Sequence, residues 1–134
     1  MDALIIDHTE FTPRVMLDPV NRIFEFEGVS RPENVTTFYA PVIDWMTDFE
    51  SDLYKINVSG GKKFNINIVF KLSYFNSASA KMIFIMLESL SRIRNMGFSF
   101  IIDWYYDEGD DQMCDDGHEL SEAIEIPFNF FTNS

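Results

Sequence analysis

One cysteine, Cys114, stands in the 134 residues, so no disulfide can form within the chain and nothing in the composition points to an oxidising compartment. Lysine and arginine are absent after Arg94, whereas residues 95–134 carry ten Asp or Glu. All ten basic residues therefore lie in the first 94, beside the other 12 of the 22 acids. An acidic end repels phosphate backbones and anionic membranes, which argues against nucleic acid or a lipid surface as a direct ligand. It suits a solvated surface that aids solubility, or a basic protein partner. No apolar run reaches membrane-spanning length, and Met1 to Asp7 lacks the basic start of a signal peptide. The expectation is a soluble cytoplasmic protein.

Large apolar side chains are plentiful: the chain is 46% hydrophobic, with 14 Phe, five Tyr and two Trp. A chain of this length buries roughly two-thirds of the surface it exposes when unfolded, enough for a real core. Neither a repeat, a low-complexity tract nor a long linker interrupts it. One domain over residues 1–134 is expected.

Arg14–Leu17 and Arg22–Glu27 flank Asp18-Pro19-Val20-Asn21, a turn signal, and Phe24 and Phe26 alternate with Glu25 and Glu27. This predicts a hairpin with one wet face. Ser30-Arg31-Pro32-Glu33 has capping-box spacing, and Val35, Phe38, Tyr39, Val42, Met46, Phe49 and Leu53 follow at helical intervals. Pro41 cannot donate to the Thr37 carbonyl, so a kink or a split is expected there. The clearest strand starts near Phe64, with Phe64, Ile66, Ile68, Phe70, Leu72 and Tyr74 on one side; Val69 and Phe75 suggest partial cover on the other. After Asn76-Ser77-Ala78-Ser79 comes a helical stripe, Ile83, Met86, Leu87, Leu90 and Ile93, stopped by Arg92, Arg94 and Gly97.

Phe98–Tyr106 reads as a strand, which makes strand, helix, strand a right-handed parallel crossover. An acidic loop, 107–119, then leads through a short helix to a last strand over Ile124–Phe128, which Pro127 places at a sheet edge. The order β-β-α-β-α-β-(α)-β implies an α/β fold: a mixed sheet with two main helices packed on it.

Tests for catalytic and ligand chemistry mostly fail. Gly60-Gly61-Lys62-Lys63 lacks the spaced glycines of a P-loop, and Phe64 stands where a magnesium-binding hydroxyl belongs. An EF-hand loop with Gly117 at its sixth position would need acids or Asn at 112 and 114, where Gln112 and Cys114 stand. Cys114 and His118 share helical spacing, but His8 is the only other histidine and structural zinc wants four such ligands. There is no nucleophile elbow. The acids of 107–119 leave open a hard-cation site of another geometry, and with it a small metal-assisted enzyme.

Asn76-Ser77-Ala78-Ser79 lies where a strand meets a helix. Asn and Ser at such a joint cap orphan N–H groups, which is reason enough for them to be there. The same physics suits a switch: a phosphoryl group added here would rest on free N–H groups and the positive helix end, bringing about two negative charges.

Thr12-Pro13, Pro32-Glu33-Asn34, Phe38–Trp45, Tyr74–Lys81, Trp104–Asp107 and Ile126-Pro127-Phe128 together resemble, in order and along nearly the whole chain, the SiaC family of bacterial regulatory phosphoproteins. That family is similar in outline to the anti-sigma-factor antagonists (STAS domains) of partner-switching systems. The resemblance implies a phosphorylation-switched adaptor, not an enzyme, with no cofactor and no metal. A SiaB-type kinase phosphorylates it, a SiaA-type PP2C phosphatase reverses this, and the unphosphorylated form activates a GGDEF diguanylate cyclase. Cyclic di-GMP output, and so biofilm or aggregation, would follow. An antagonist acting on a sigma-factor regulator is the neighbouring alternative.

The family's acceptor threonine, directly after the Asn of an Asn-Thr-Ser-Ser-like motif, falls by position on Ser77, with Ser79 as second choice. This chain has Ser for Thr at 77 and Ala for Ser at 78. Asn76, Ala78, Ser79 and Lys81 are then the expected partner contacts.

Overall fold

Strands β1 (Leu4–Ile6), β2 (Arg14–Asp18) and β3 (Ile23–Ser30) open the computed structural model, which describes residues 1–133. Helix α1 (Val35–Val58), β4 (Asn65–Phe75), α2 (Ser77–Asn95), β5 (Ser99–Asp107), α3 (Asp111–Ile124) and β6 (Phe128–Asn133) follow. The six strands form one sheet in chain order; β1–β2 and β2–β3 pair antiparallel, and β3 through β6 pair parallel. The architecture is thus the expected mixed-sheet α/β fold, with the expected short third helix extended to Asp111–Ile124 and β1 added at the N-terminal edge. Right-handed crossovers that always advance in one direction carry every helix to the same face.

Burial alternates accordingly. Val15, Leu17, Phe24, Phe26, Ile66, Ile68, Phe70, Ile102 and Trp104 point into the core, where they meet Tyr39, Val42, Met46 and Phe49 of α1 and Ile83, Leu87, Leu90 and Ile93 of α2. The other face is uncovered, and Asn65, Asn67 and Ser73 of β4 stand exposed on it. The partial cover expected for this face is therefore corrected. No helix packs there; Val69 and Lys71 are half-buried among the strands, and Lys71 Nζ lies 4.8 Å from the centre of the Tyr105 ring.

Local chemistry explains where elements begin. Asp18 holds the hairpin turn through Val20 N, Asn21 N and Asn21 Nδ2, and the Asn21 side-chain bond leads the effects that lower its pKa. Asn34, not Ser30, caps α1, its Oδ1 accepting from Thr37 N at 3.0 Å; Ser30 ends β3 and is buried. Helix α1 runs unbroken through Pro41, which is exposed like Thr37, so the carbonyl that loses its partner lies on the solvent side. Arg92 of α2 clasps Glu50 of α1 with two bonds, 2.8 and 2.9 Å.

Three further expectations fail for identifiable reasons. Tyr74 does not continue the inward row of β4, because the register with β3 shifts at Gly28/Val29: Gly28 pairs with Leu72 but Val29 with Tyr74. Gly28, at φ 114°, accommodates this irregularity. The extra residue turns Phe75 inward, where its ring meets Trp104 edge-on, and leaves Tyr74 exposed. The acidic segment is not a loop beyond Asp110, since α3 occupies most of it. Ile124–Phe128 is not a strand: Ile124 ends α3, Glu125 turns left-handed at φ 58°, and β6 starts only at Phe128. The edge position of that last strand is as expected.

Candidate functional site

The bulge in β4 delivers the chain to α2 with Phe75 pointing in and Asn76 at the helix cap. Asn76 Oδ1 accepts from Ser79 N at 2.8 Å, and Asn76 O accepts from Ala80 N at 2.9 Å. The capping group is thus the amide side chain, and Ser77 is the first helical residue. Its amide and that of Ala78 have no acceptor within the helix, and no acid occupies the first turn of α2. Ser77 and Ala78 are exposed, and Asn76 is half-buried.

Ser79 behaves differently. It is fully buried, its hydroxyl donating to the Ser30 carbonyl (3.0 Å) and accepting from the Ser30 hydroxyl (2.9 Å). The Tyr39 hydroxyl completes the group at 2.5 Å from Ser30 Oγ, and burial pushes its pKa up. Ser79, expected as second acceptor and as a partner contact, is thus enclosed by Ser30 and Tyr39 and not on the surface. Of the two serines in the joint, Ser77 alone is accessible.

Between α2 and α3 lies a groove of about 510 Å3 that Ser77 lines at the start of α2. Phe75, Ala80, Phe84, Leu120 and Ala123 make its wall apolar, and the carboxylates of Asp116 and Glu119 on α3 stand opposite Ser77 and Lys81 on α2. Lys81 is exposed and four residues from Ser77, which places the two on one helix face. An added phosphate would stand beside an apolar trough. That trough is the feature sequence reading misses, because one wall is α3, whose Asp116 and Glu119 fall in the stretch expected as an acidic loop.

Helix α3 is held by a narrow set of contacts. Asp110 caps it through Met113 N (3.1 Å), Trp104 Nε1 donates to the Met113 carbonyl (2.9 Å), and Gly117 packs against Cδ1 and Nε1 of the Trp104 ring. Met113, Gly117 and Ile124 face inward, whereas Asp111, Asp115, Glu119 and Glu122 are exposed and Asp116 is half-buried at the groove. Cys114 is half-buried, and His118 stacks on Phe130 with centroids 3.8 Å apart. Among the described residues no three His, Cys, Asp or Glu side chains gather as a ligand set. No helix among them is long and apolar enough to cross a membrane.

The model of a family described as "SiaC family regulatory phosphoprotein" matches residues 6–133. No curated protein sequence matches the chain. Among solved structures, apo-SiaC from Pseudomonas aeruginosa is similar at 25% identity and a TM-score of 0.81, over 97% of this chain and 98% of that one. A second structure of SiaC from the same organism gives 25% identity and a TM-score of 0.82, over 99% of this chain and 100% of that one. A third, the diguanylate cyclase SiaD in complex with its activator SiaC, also from Pseudomonas aeruginosa, gives 25% and 0.83, over 97% and 99%.

Proposed function

The chain belongs to the SiaC family of regulatory phosphoproteins, and from that premise we propose that it is a phosphorylation-switched activator of a GGDEF diguanylate cyclase. The observation that carries the reading is the placement of Ser77: exposed, first in its helix, and on the wall of an apolar groove. The similar SiaC of Pseudomonas aeruginosa is crystallised with a diguanylate cyclase as its activator, which makes a cyclase the partner of choice here.

In this reading the whole chain acts as one regulatory domain of the cytoplasm and carries no catalysis of its own. A SiaB-type kinase transfers phosphate to Ser77, and a SiaA-type PP2C phosphatase removes it. The unmodified form docks its cyclase across the α2–α3 groove, with Asn76, Ala78 and Lys81 around the acceptor. A phosphoryl group brings about two charges to this contact, supported by the free amides of Ser77 and Ala78. A partner that buries the groove would then have to desolvate that dianion, so it dissociates.

The test compares Ser77→Ala and Ser77→Asp with the natural chain in a cyclase assay, and locates phosphate by mass spectrometry after incubation with kinase and ATP. Ser77→Ala should activate the cyclase and take no phosphate; Ser77→Asp should lose activation at least about tenfold, the cost of a buried unpaired charge. Equal activation by both variants, or phosphate found elsewhere, would reject the reading.

A further inference from the structure

We infer that the buried hydroxyls of Ser30, Tyr39 and Ser79 form a positioning device that fixes the first turn of α2 and so presents Ser77 to the groove and to its modifying enzymes. The role assigned to Ser77 rests on the function proposed above; the network itself does not. The three residues come from three elements: Ser30 ends β3, Tyr39 lies in the second turn of α1, and Ser79 in the first turn of α2. All are at most 1% exposed.

The protons close without a remainder. Tyr39 Oη donates to Ser30 Oγ, Ser30 Oγ donates to Ser79 Oγ at 2.9 Å, and Ser79 Oγ donates to the Ser30 carbonyl at 3.0 Å. The same carbonyl accepts from Asn76 N at 3.1 Å. No buried side-chain polar atom among the described residues is left unpaired. Ser30 is thus a hub, bound on one side to α1 and on the other to both Asn76 and Ser79, the residues that bracket Ser77.

Packing alone does not call for this arrangement. Phe at 39 and Ala at 30 and 79 would fill similar space without the cost of desolvating three hydroxyls. What hydroxyls add is direction: a satisfied network admits one geometry, whereas apolar contacts tolerate sliding. Here the direction is spent on one turn of one helix, two residues from the exposed serine. The network also encloses Ser79, which leaves Ser77 as the accessible hydroxyl of the joint and makes the modification selective.

Tyr39→Phe and Ser79→Ala each remove one hydroxyl from the ring, and both are to be followed by residue-resolved amide hydrogen exchange. The Ser79 and Ala80 amides, which bond to Asn76, should exchange several-fold faster in either variant, while those of Met86–Leu90 in the middle of α2 keep their rates. The kcat/KM for phosphate transfer to Ser77 by the cognate kinase should fall about 2- to 10-fold, the weight of one hydrogen bond. Unchanged exchange at Ser79 and Ala80, or a uniform rise along α2, overturns the proposal, since neither is local positioning. If one variant does not fold, the other decides. Should the natural chain take no phosphate on Ser77, the acceptor assignment fails alone, and the exchange data still judge the network.

Discussion

Gly117 of α3 lies so close to Trp104 of β5 that a Cβ built on it would come 2.6 Å from both Cδ1 and Nε1 of the indole. Phe130 Cε1 would be 2.8 Å away. Trp104 cannot yield, because it is fully buried, ringed by Phe70, Phe75 and Phe128, and tied to Met113 O. The only hydrogen-sized side chain therefore sets how near α3 sits to the sheet, and with it the width of the α2–α3 groove.

Gly117→Ala should consequently push α3 outward. Overpacking of this kind costs roughly 1–3 kcal/mol, offset in part by the better helix propensity of Ala. Thermal unfolding should shift down by a few degrees, and cyclase binding should weaken beyond what the lost stability explains, since Asp116, Glu119, Leu120 and Ala123 move together. A variant as stable as the parent and equal in binding would show that α3 has room the close contact denies.

Tyr39 links stability to alkaline pH. Burial raises its pKa above the ordinary 10.0, against the lowering effect of the neighbouring Ser30 and Ser79 hydroxyls. The folded chain therefore holds the phenolic proton more tightly than the unfolded chain. This stabilisation is full below the unfolded pKa near 10 and is lost as pH rises through the folded value. Melting temperature measured from pH 8 to pH 11 should fall at the upper end, and Tyr39→Phe should make that fall shallower. Parallel curves for the two proteins would mean that the buried phenol is not what titrates.

Much of this fold is written in local pattern. The stripe Ile83, Met86, Leu87, Leu90 and Ile93 is buried as its spacing requires, and Asp18 and Asn21 make the hairpin turn they signal. Ser77 also lies where the strand-to-helix joint was read, exposed on the first turn. What failed depended on partners distant in sequence. The inward spacing of Met113, Gly117, Leu120 and Ile124 is helical, but a glycine and a run of acids mask it, and only the Trp104 ring gives Gly117 a reason to face inward. Nothing local marks the β4 irregularity opposite Gly28, which reverses Tyr74 and Phe75. The burial of Ser79 depends on Ser30, 49 residues earlier, and on Tyr39, so nothing local tells the buried serine of the motif from the exposed one. The groove joins α2 to α3, and no single segment could announce it.

Lys81 should act as an internal counterion once Ser77 is phosphorylated. The two residues line one groove and are spaced i and i+4, with the anion on the N-terminal side, the favourable orientation for an ion pair on a helix. Asp116 and Glu119 stand across the groove and repel the same phosphate, so Lys81 is the groove residue whose charge opposes them. Removing it by Lys81→Met, which keeps length and apolar stem, should raise the second phosphate pKa from its ordinary value of about 6 by a few tenths of a unit. A phosphorus NMR titration of the two phosphorylated proteins reads this directly, and the difference should shrink with added salt. Superimposable titrations would show that the ammonium does not reach the phosphate, leaving the amides at the start of α2 as its support.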